Sequence, residues 1–205
     1  MPLDGIRVIA WDFDGVLNSN IQNGALVWSQ NFERDLGLPV QSFAKFLFQG
    51  RFQRAMIGAG DLKQDVSEWL LLHETPHTAD DILAYWFAKD ALPDPQMLGY
   101  LEQMSGRNLT NIIATNNEAL RADYIEHDMG IGALVDHFFA AGRMQVAKPD
   151  IAYFKHIEAA LDLSPSAFLL IDDMSDNVDA ARQSGWQAHH YLADNYTALE
   201  RSLGL

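Results

Sequence analysis

Two aspartates separated by one phenylalanine are the residues of this sequence best suited to chemistry. Asp12 and Asp14 follow the apolar, β-prone segment 6–11, and Gly15 comes directly after Asp14. Asp12 could attack the phosphorus of a phosphate ester and form an aspartyl phosphate. Asp14 could protonate the leaving alkoxide and then deprotonate the water that hydrolyses the intermediate. This chemistry would be that of a phosphatase that works through a covalent intermediate, but two aspartates at such positions could equally serve to form a turn or to cap a helix.

Other polar residues with matching chemistry occur later in the chain, at the ends of apolar segments or in a loop. They are Thr115 and Asn116, Lys148, and Asp172 and Asp173. Mg²⁺ prefers oxygen ligands, so we expect a magnesium site made by Asp12, Asp173 and the backbone carbonyl of Asp14. The Thr115 hydroxyl could bind phosphate oxygens, and Lys148 could neutralise charge on the phosphoryl group and on Asp12. Without a cation, so many clustered carboxylates would resist ionisation.

A parallel sheet would bring these residues together. Short apolar segments predict buried strands, and segments with helical spacing separate most of them. The predicted strands are 6–11, 111–115, 137–140, 168–171 and 188–192, and the predicted helices among them are 97–104, 120–129, 151–161 and 177–183. This alternation indicates an α/β fold, a doubly wound Rossmann-like parallel sheet with helices on both faces. Ligands of such sheets bind beyond the carboxyl ends of the strands, where the polar residues occur.

The segment between the first two of these strands is too long for a simple connection. Residues 17–92 have mainly helical patterns, and two prolines follow them. The predicted helices are 25–36, ended by Gly37, then 43–48, 62–72 and 82–87. We therefore expect a helical cap domain at 17–92, inserted after strand 1 into a core domain formed by 1–16 and 93–205.

The composition limits the classes of protein to consider. The chain has 205 residues, of which 48% are hydrophobic and 20% charged, as is typical of a globular protein. Its net charge of −14 argues against a nucleic-acid partner, because phosphate backbones attract basic surfaces. The lack of cysteine excludes disulfides and thiolate chemistry. No apolar run approaches the roughly 18 residues of a membrane span, and no signal-peptide pattern is present. We expect a cytoplasmic protein that acts on a small phosphorylated metabolite and has no membrane partner.

Four ordered motifs make the sequence resemble the haloacid dehalogenase (HAD) superfamily of hydrolases over essentially the whole chain. The motifs are Asp12-Phe13-Asp14-Gly15-Val16, Ile113-Ala114-Thr115-Asn116, Lys148-Pro149 and Ile171-Asp172-Asp173-Met174-Ser175-Asp176-Asn177. The helical insertion resembles the α-helical C1 cap of that family. The second and fourth motifs look most like those of sugar-phosphate phosphatases and of the phosphatase domain of soluble epoxide hydrolases. A single Asp-x-Asp motif is weak, whereas four in order at strand ends are specific.

The resemblance implies a role for each motif residue. Asp12 would be the nucleophile and Asp14 the general acid and base, while Asp173 would ligate a magnesium ion. The residues that handle phosphate would be Thr115, Asn116 and Lys148. The residues that support the metal site would be Asp172 and Asn177. Which of the two adjacent aspartates binds the metal directly stays open at the level of the sequence.

Three alternatives to a phosphatase remain. A phosphomutase of the β-phosphoglucomutase type would share every core motif and differ in passing the phosphoryl group to a sugar phosphate instead of water. A 2-haloacid dehalogenase also uses an aspartate nucleophile, but dehalogenases of the family lack the second aspartate, so Asp14 favours a phosphatase. A binding module without catalytic activity would have no need of the complete set of motifs.

Several residues of the predicted cap have both a functional and a simpler interpretation. Arg51 and Arg54 are candidate substrate contacts, but an exposed basic helix face would also explain them. The tryptophans at 28, 69 and 86 could form a substrate platform, but large aromatic residues at helical spacing are more often the core of a domain. The simpler interpretation is preferred for both groups.

Overall fold

The computed structural model describes residues 3–22, 24–193 and 195–205, and positions 1, 2, 23 and 194 of the predicted ranges 1–16, 17–92 and 93–205 lie outside the described residues. Five strands form one parallel sheet. They are β1 (Val8–Trp11), β4 (Thr110–Thr115), β5 (His137–Ala140), β6 (Phe168–Asp172) and β7 (Gln187–His190). Their spatial order is β5-β4-β1-β6-β7, which confirms the predicted doubly wound α/β fold. Strand β1 is central, so the carboxyl ends of β4 and β6 flank its own.

Alternation along the strands builds two apolar layers. In β1, Ile9 and Trp11 belong to one hydrophobic cluster and Val8 and Ala10 to another, and all four are buried. The flanking strands repeat this pattern on both faces. Strands of a parallel sheet that are covered on both faces need apolar residues throughout. That requirement is why these strands stand out in the sequence as short apolar runs.

Helices cover both faces of the sheet and fill the long segment after β1. The helices of that segment are α1 (Phe32–Leu36), α2 (Val40–Phe48), α3 (Arg51–Met56), α4 (Leu62–Leu70) and α5 (Ala79–Lys89). The later helices are α6 (Pro95–Ser105), α7 (Ala119–Asp123), α8 (Ala141–Met144), α9 (Ile151–Leu161), α10 (Ser175–Gln183) and α11 (Tyr196–Leu203). Helices α6 and α11 pack on the face of the sheet that carries Trp11, and α9 and α10 pack on the opposite face.

The beginning of the long segment differs from the helix predicted at 25–36. Strands β2 (Ile21–Gln22) and β3 (Ala25–Leu26) form an antiparallel hairpin, and a 3₁₀ helix at Val27–Asn31 follows. Only α1 is α-helical, and it ends as expected at Gly37, which has a φ of 67°. Gly24, with a φ of 75°, lies between the two strands, and the tight turn there outweighs the helical spacing of the apolar residues that follow.

The long segment has a hydrophobic cluster of its own, and the largest members of that cluster are aromatic. We call Trp28, Phe32, Phe43, Trp69 and Trp86 the aromatic cluster. The rings of Trp28 and Trp86 are 5.2 Å apart between centroids, and those of Phe32 and Phe43 are stacked at 5.2 Å. All five side chains are buried. The tryptophans therefore form the interior of this segment and are not an exposed platform, in agreement with the simpler interpretation.

Three short helices, α3, α8 and α11, lie outside the helices predicted from the sequence. Each is stabilised by long-range packing, as when Leu199 and Leu203 of α11 pack into the cluster that contains Trp11. Among the described residues, the longest helices have 11 residues. None of these helices has the length and apolar character needed to cross a membrane.

Candidate active site

The carboxyl ends of β1, β4 and β6 bring the predicted site residues into one place. Trp11, the last residue of β1, pairs in register with Ile113 and Ile171 of the two neighbouring strands. Thr115 and Asp172 are the last residues of β4 and β6, and Asp12 and Asp173 directly follow β1 and β6. The convergence predicted from the parallel sheet is therefore present in the structure.

Three carboxylates form a compact group at this edge of the sheet. Each of Asp12, Asp172 and Asp173 offers an oxygen, and these oxygens lie within 4.8 Å of one another. Asp12 and Asp172 are buried, while Asp173 is partly exposed. Clustered carboxylate oxygens are the donor set of a hard divalent cation. Because its donors are carboxylate oxygens, this group could bind such an ion.

Lys148 is the cation that the protein itself places in this group. Its side chain is fully buried, with Nζ 2.6 Å from Oδ2 of Asp172, 3.2 Å from Oδ1 of Asp12 and 2.6 Å from the carbonyl oxygen of Ala114. Burial acts to lower the pKa of Lys148, but the charges of Asp12 and Asp172 outweigh it and raise the pKa above its usual range. Lys148 therefore stays protonated, and one positive charge faces three carboxylates.

The two adjacent aspartates have different surroundings. Oδ1 of Asp172 accepts hydrogen bonds from the backbone N–H of Met174 at 2.9 Å and from Nδ2 of Asn177 at 2.9 Å, and its Oδ2 accepts from Lys148. The Asp173 carboxylate instead borders a cavity of about 370 Å³ that also touches Gly15. Asp173 is thus the more accessible of the two for a ligand.

Burial and mutual repulsion set the proton affinity of the acidic group. Burial raises the pKa of Asp12 well above its ordinary value; the Lys148 charge opposes this, and the charges of Asp172 and Asp173 add to it. Burial, followed by the charge of Asp172, also raises the pKa of Asp173. Both effects are what a carboxylate cluster shows when its negative charge is incompletely compensated. A divalent cation would supply the missing compensation.

Asp14 lies outside the group of three carboxylates and is held by donors of its own. Its Oδ1 accepts hydrogen bonds from Nη2 of Arg121 at 2.8 Å and from Nδ2 of Asn18 at 2.9 Å, and its Oδ2 accepts from Nδ2 of Asn117 at 3.0 Å. Burial acts to raise the pKa of Asp14, but Arg121 and the two amides outweigh it and hold the pKa below the ordinary value. The two aspartates of the first motif therefore have opposite electrostatic environments.

Asn116 and Asn117, which follow β4, bind different parts of the site. Nδ2 of Asn117 donates to the Thr115 hydroxyl oxygen at 2.7 Å as well as to Asp14. Asn116 donates from Nδ2 to the carbonyl oxygen of Lys148 at 2.8 Å and accepts from the Lys148 N–H at 2.9 Å. The side chain of Asn116 thus fixes the loop that carries Lys148, whereas the sequence predicts that it handles phosphate.

Three residues that hold Asp14 are not predicted from the sequence. Asn18 and Asn117 lie close to predicted motifs, but nothing in a single sequence shows that their amides meet across the sheet. Arg121 lies in α7, 107 positions after Asp14, and its side chain is only 3% exposed. The sequence signal that points to Arg121 is an arginine shortly after the second motif, while its burial is seen only in the structure.

The two arginines proposed as substrate contacts are engaged within the helical segment. Nη1 of Arg51 lies 2.6 Å from Asp65 and 2.8 Å from Glu68, and its guanidinium stacks 4.2 Å from the centre of the Phe46 ring. Arg54 donates to the carbonyl oxygen of Ala59 at 3.1 Å. These contacts give both arginines a structural explanation.

Comparisons with known proteins agree with this geometry. The sequence model of the haloacid dehalogenase-like hydrolase family matches residues 6–185. A sesquiterpene phosphatase of Aspergillus oryzae is 29% identical over 113 residues, 53% of this chain and 55% of that protein, so the match spans about half of its length. A phosphatase of Mycobacterium tuberculosis is 28% identical over 196 residues, 92% of this chain and 88% of that protein.

A solved structure shows the same fold. The HAD family enzyme of Bacteroides thetaiotaomicron, crystallised with magnesium and inorganic phosphate, has a TM-score of 0.75 and 16% identity to this chain. The similarity covers 93% of this chain and 96% of that one. At such a low identity the likeness establishes the arrangement of strands and helices.

Proposed function

Because the chain belongs to the haloacid dehalogenase-like hydrolase family, we propose that it is a magnesium-dependent phosphomonoesterase. Its substrate is a small phosphorylated metabolite, and Asp12 is the nucleophile. The observation that carries the proposal is the contrast between the two aspartates of the first motif. Asp12 faces Lys148 and the acidic pair, while Asp14 is held separately by three donors. One carboxylate is thereby equipped to bond to phosphorus and the other to exchange protons.

The first step transfers the phosphoryl group to Asp12. The Phe13 N–H at 2.7 Å and Lys148 at 3.2 Å both engage Oδ1 of Asp12, so we assign the attack on phosphorus to Oδ2. A bond forms between Oδ2 and phosphorus as the bond from phosphorus to the leaving oxygen breaks. The phosphate ester binds as its monoanion and gives its proton to Asp14, which then donates this proton to the leaving oxygen as the bond to phosphorus breaks. Lys148 offsets negative charge during the transfer.

The second step releases phosphate. Asp14, now an anion, accepts a proton from a water molecule, whose oxygen bonds to phosphorus while the bond to Asp12 breaks. The products are inorganic phosphate and the regenerated Asp12 carboxylate. The lowered pKa of Asp14 means that it is an anion between turnovers, so the proton used in the first step must come from the bound phosphate ester.

Magnesium fits the acidic group as a cofactor. Asp12, Asp173 and the backbone carbonyl of Asp14 would hold it, and the ion would neutralise phosphate oxygens when bound. Asp173 is the direct ligand in this proposal, because the oxygens of Asp172 are already bonded to Lys148, Met174 and Asn177. Asp172 and Asn177 then support the site by fixing Lys148 and the loop after β6.

Residues 17–92 are proposed to act as the cap over this site, on the core of 1–16 and 93–205. Their own aromatic cluster is separate from the two clusters of the sheet. Both ends of the segment meet at one point, where the N–H of Ser19 donates to the carbonyl oxygen of Leu92 at 2.8 Å. An inserted unit with adjacent ends and its own core can move relative to the sheet and exclude water from the substrate.

The curated relatives support hydrolysis of a phosphate ester, since both are phosphatases. The magnesium and phosphate bound by the Bacteroides enzyme support the choice of metal. Asp14 argues against a dehalogenase, because loss of halide requires no general acid. The phosphomutase alternative is tested by comparing two rates. If inorganic phosphate is released as fast as the ester is consumed, a phosphomutase is excluded.

The test is the Asp12→Asn variant assayed with p-nitrophenyl phosphate and Mg²⁺. We expect its activity to fall to background, because an amide oxygen is a poor nucleophile, while circular dichroism shows an unchanged fold. Asp162→Asn is the matched control: Asp162 is exposed, has a φ of 51° at the end of α9, and asparagine tolerates that backbone conformation. Activity near that of the control in Asp12→Asn would remove the nucleophile from the proposal.

A further inference from the structure

Arg121 is a buried cation that joins the sheet domain to the helical segment. It belongs to α7, and its Nη2 lies 2.8 Å from Oδ1 of Asp14 and 3.9 Å from Oδ2 of Asp90. Its guanidinium carbon is 5.8 Å from the centre of the Phe87 ring in α5. A charge this deeply buried is costly unless it is paired. Arg121 is paired with one residue proposed to take part in the reaction and one residue at the end of α5.

Asp90 has a fixed position that suits it to balance Arg121. Its Oδ1 accepts from the N–H of Trp28 at 3.0 Å, and its Oδ2 accepts from the indole N–H of Trp86 at 3.1 Å. Its carbonyl oxygen accepts from Nδ2 of Asn18 at 2.7 Å, and the same Nδ2 also donates to Asp14. Asp90 is only 1% exposed. The aromatic cluster thus anchors a carboxylate beside the arginine that holds Asp14.

The geometry of Arg121 differs from that of a purely stabilising ion pair. Arginine stabilises a carboxylate best through two parallel hydrogen bonds. Here a single nitrogen, Nη2, faces both carboxylates, and Nη1 has no hydrogen-bond partner among the described residues. Arg121 therefore fixes one oxygen of Asp14 while leaving part of its own hydrogen-bonding capacity unused.

We propose that Arg121, balanced by Asp90, is a positioning residue that orients the Asp14 carboxylate for proton transfer to the leaving group. This inference rests on the proposed phosphatase function. Asn18 and Asn117 alone would hold Asp14 by neutral amides, whereas the arginine adds a charged donor on a helix of the core. The position of Asp14 is then set from both sides of the junction between the sheet and the helical segment.

The test compares substrates that differ in their need for a proton. p-Nitrophenolate leaves readily without protonation, whereas phenolate is a stronger base and depends more on a general acid. General acid catalysis contributes roughly 10²- to 10⁴-fold. For Arg121→Gln we expect kcat/KM for phenyl phosphate to fall at least about tenfold further than kcat/KM for p-nitrophenyl phosphate.

Two further variants keep the result interpretable. Arg121→Lys retains the charge, and we expect it to recover part of the lost activity toward phenyl phosphate. Arg34→Gln is the matched control, because Arg34 is exposed on α1 and pairs with its neighbour Asp35. It should leave the ratio of the two kcat/KM values unchanged. If the glutamine variant does not fold, the ratio of the two kcat/KM values in the lysine variant tests the inference instead.

The possible outcomes distinguish a failure of the role proposed for Arg121 from a failure of the proposed phosphatase function. Equal losses on both substrates, with or without a lowered melting temperature, would show a structural role and overturn the inference alone. A wild-type protein that releases no phosphate from either ester would overturn the phosphatase proposal and the inference with it. A selective loss on phenyl phosphate, partly recovered by lysine, supports both.

Discussion

At the scale of single residues, the site depends on the absence of a Cβ atom at Gly15. Gly15 has a φ of 80°, a conformation that residues with side chains rarely adopt. A Cβ at this position would lie 2.5 Å from Oδ2 of Asp173 and 2.8 Å from its Cγ. The absence of a side chain lets the carboxylate proposed as a metal ligand lie directly against the turn that carries Asp12 and Asp14.

We therefore predict that Gly15→Ala weakens magnesium binding by at least about tenfold, the size of effect seen when the surroundings of a metal ligand are disturbed. The added methyl group must displace the Asp173 carboxylate. Isothermal titration calorimetry with Mg²⁺ measures the change. Gly5→Ala is the matched control, since Gly5 has a φ of 79° and a Cβ added there would meet no atom within 4 Å. Equal affinity in Gly15→Ala and the wild type would contradict this account.

At the scale of elements, Lys148 connects the ends of three strands. Its ammonium contacts Asp12 after β1, the carbonyl oxygen of Ala114 in β4 and Asp172 at the end of β6. It comes from the loop between α8 and α9, which Asn116 fixes by two hydrogen bonds. The carboxyl edge of the sheet thus carries two buried acids that depend on one cation.

Lys148→Met should lower the free energy of unfolding by roughly 3–5 kcal/mol in the absence of metal, because it leaves buried carboxylates without their partner. Urea denaturation followed by circular dichroism measures this quantity. Lys155→Met provides the comparison, as Lys155 is exposed on α9. A loss no larger than in that variant would mean that Lys148 does not stabilise the buried carboxylates.

The elements also show where a single sequence stops being informative. The strands could be predicted because burial on both faces demands consecutive apolar residues, and α9 begins and ends where its pattern predicts. The hairpin of β2 and β3 is not predicted, because the apolar residues from Ala25 onward have helical spacing even though Ala25 and Leu26 pair in a strand. The contact of Arg121 with Asp14 spans 107 positions and depends on how α7 packs, which no local pattern encodes.

At the scale of the whole molecule, both the chain and its candidate site are acidic. The chain carries a net charge of −14, and Asp12, Asp172 and Asp173 share one lysine. Burial raises the pKa of Asp12 and of Asp173, so the folded protein holds these protons more tightly than the unfolded chain does. Protonation of these two groups contributes fully to stability below the carboxyl pKa of the unfolded chain, which is about 4. It is lost as the pH rises through the raised pKa values of the folded state.

Magnesium should therefore stabilise the protein more at about pH 8 than at about pH 5, because at lower pH it competes with protons for Asp12 and Asp173. Thermal melting with and without Mg²⁺ at the two pH values tests this. EDTA should abolish phosphatase activity and added Mg²⁺ should restore it. Asp173→Asn should lose most of the stabilisation by metal. A melting temperature that does not respond to Mg²⁺ at either pH would remove the metal site from the proposal.

The aromatic cluster gives the protein a built-in optical reporter. Three of the five tryptophans, Trp28, Trp69 and Trp86, belong to this cluster, while Trp11 and Trp186 pack on opposite faces of the sheet. Indole emission changes when a ring passes from a dry interior into water. With phenylalanine at positions 11 and 186, fluorescence would come from the helical segment alone. Chemical denaturation would then reveal whether that segment melts together with the sheet or as a separate cooperative unit.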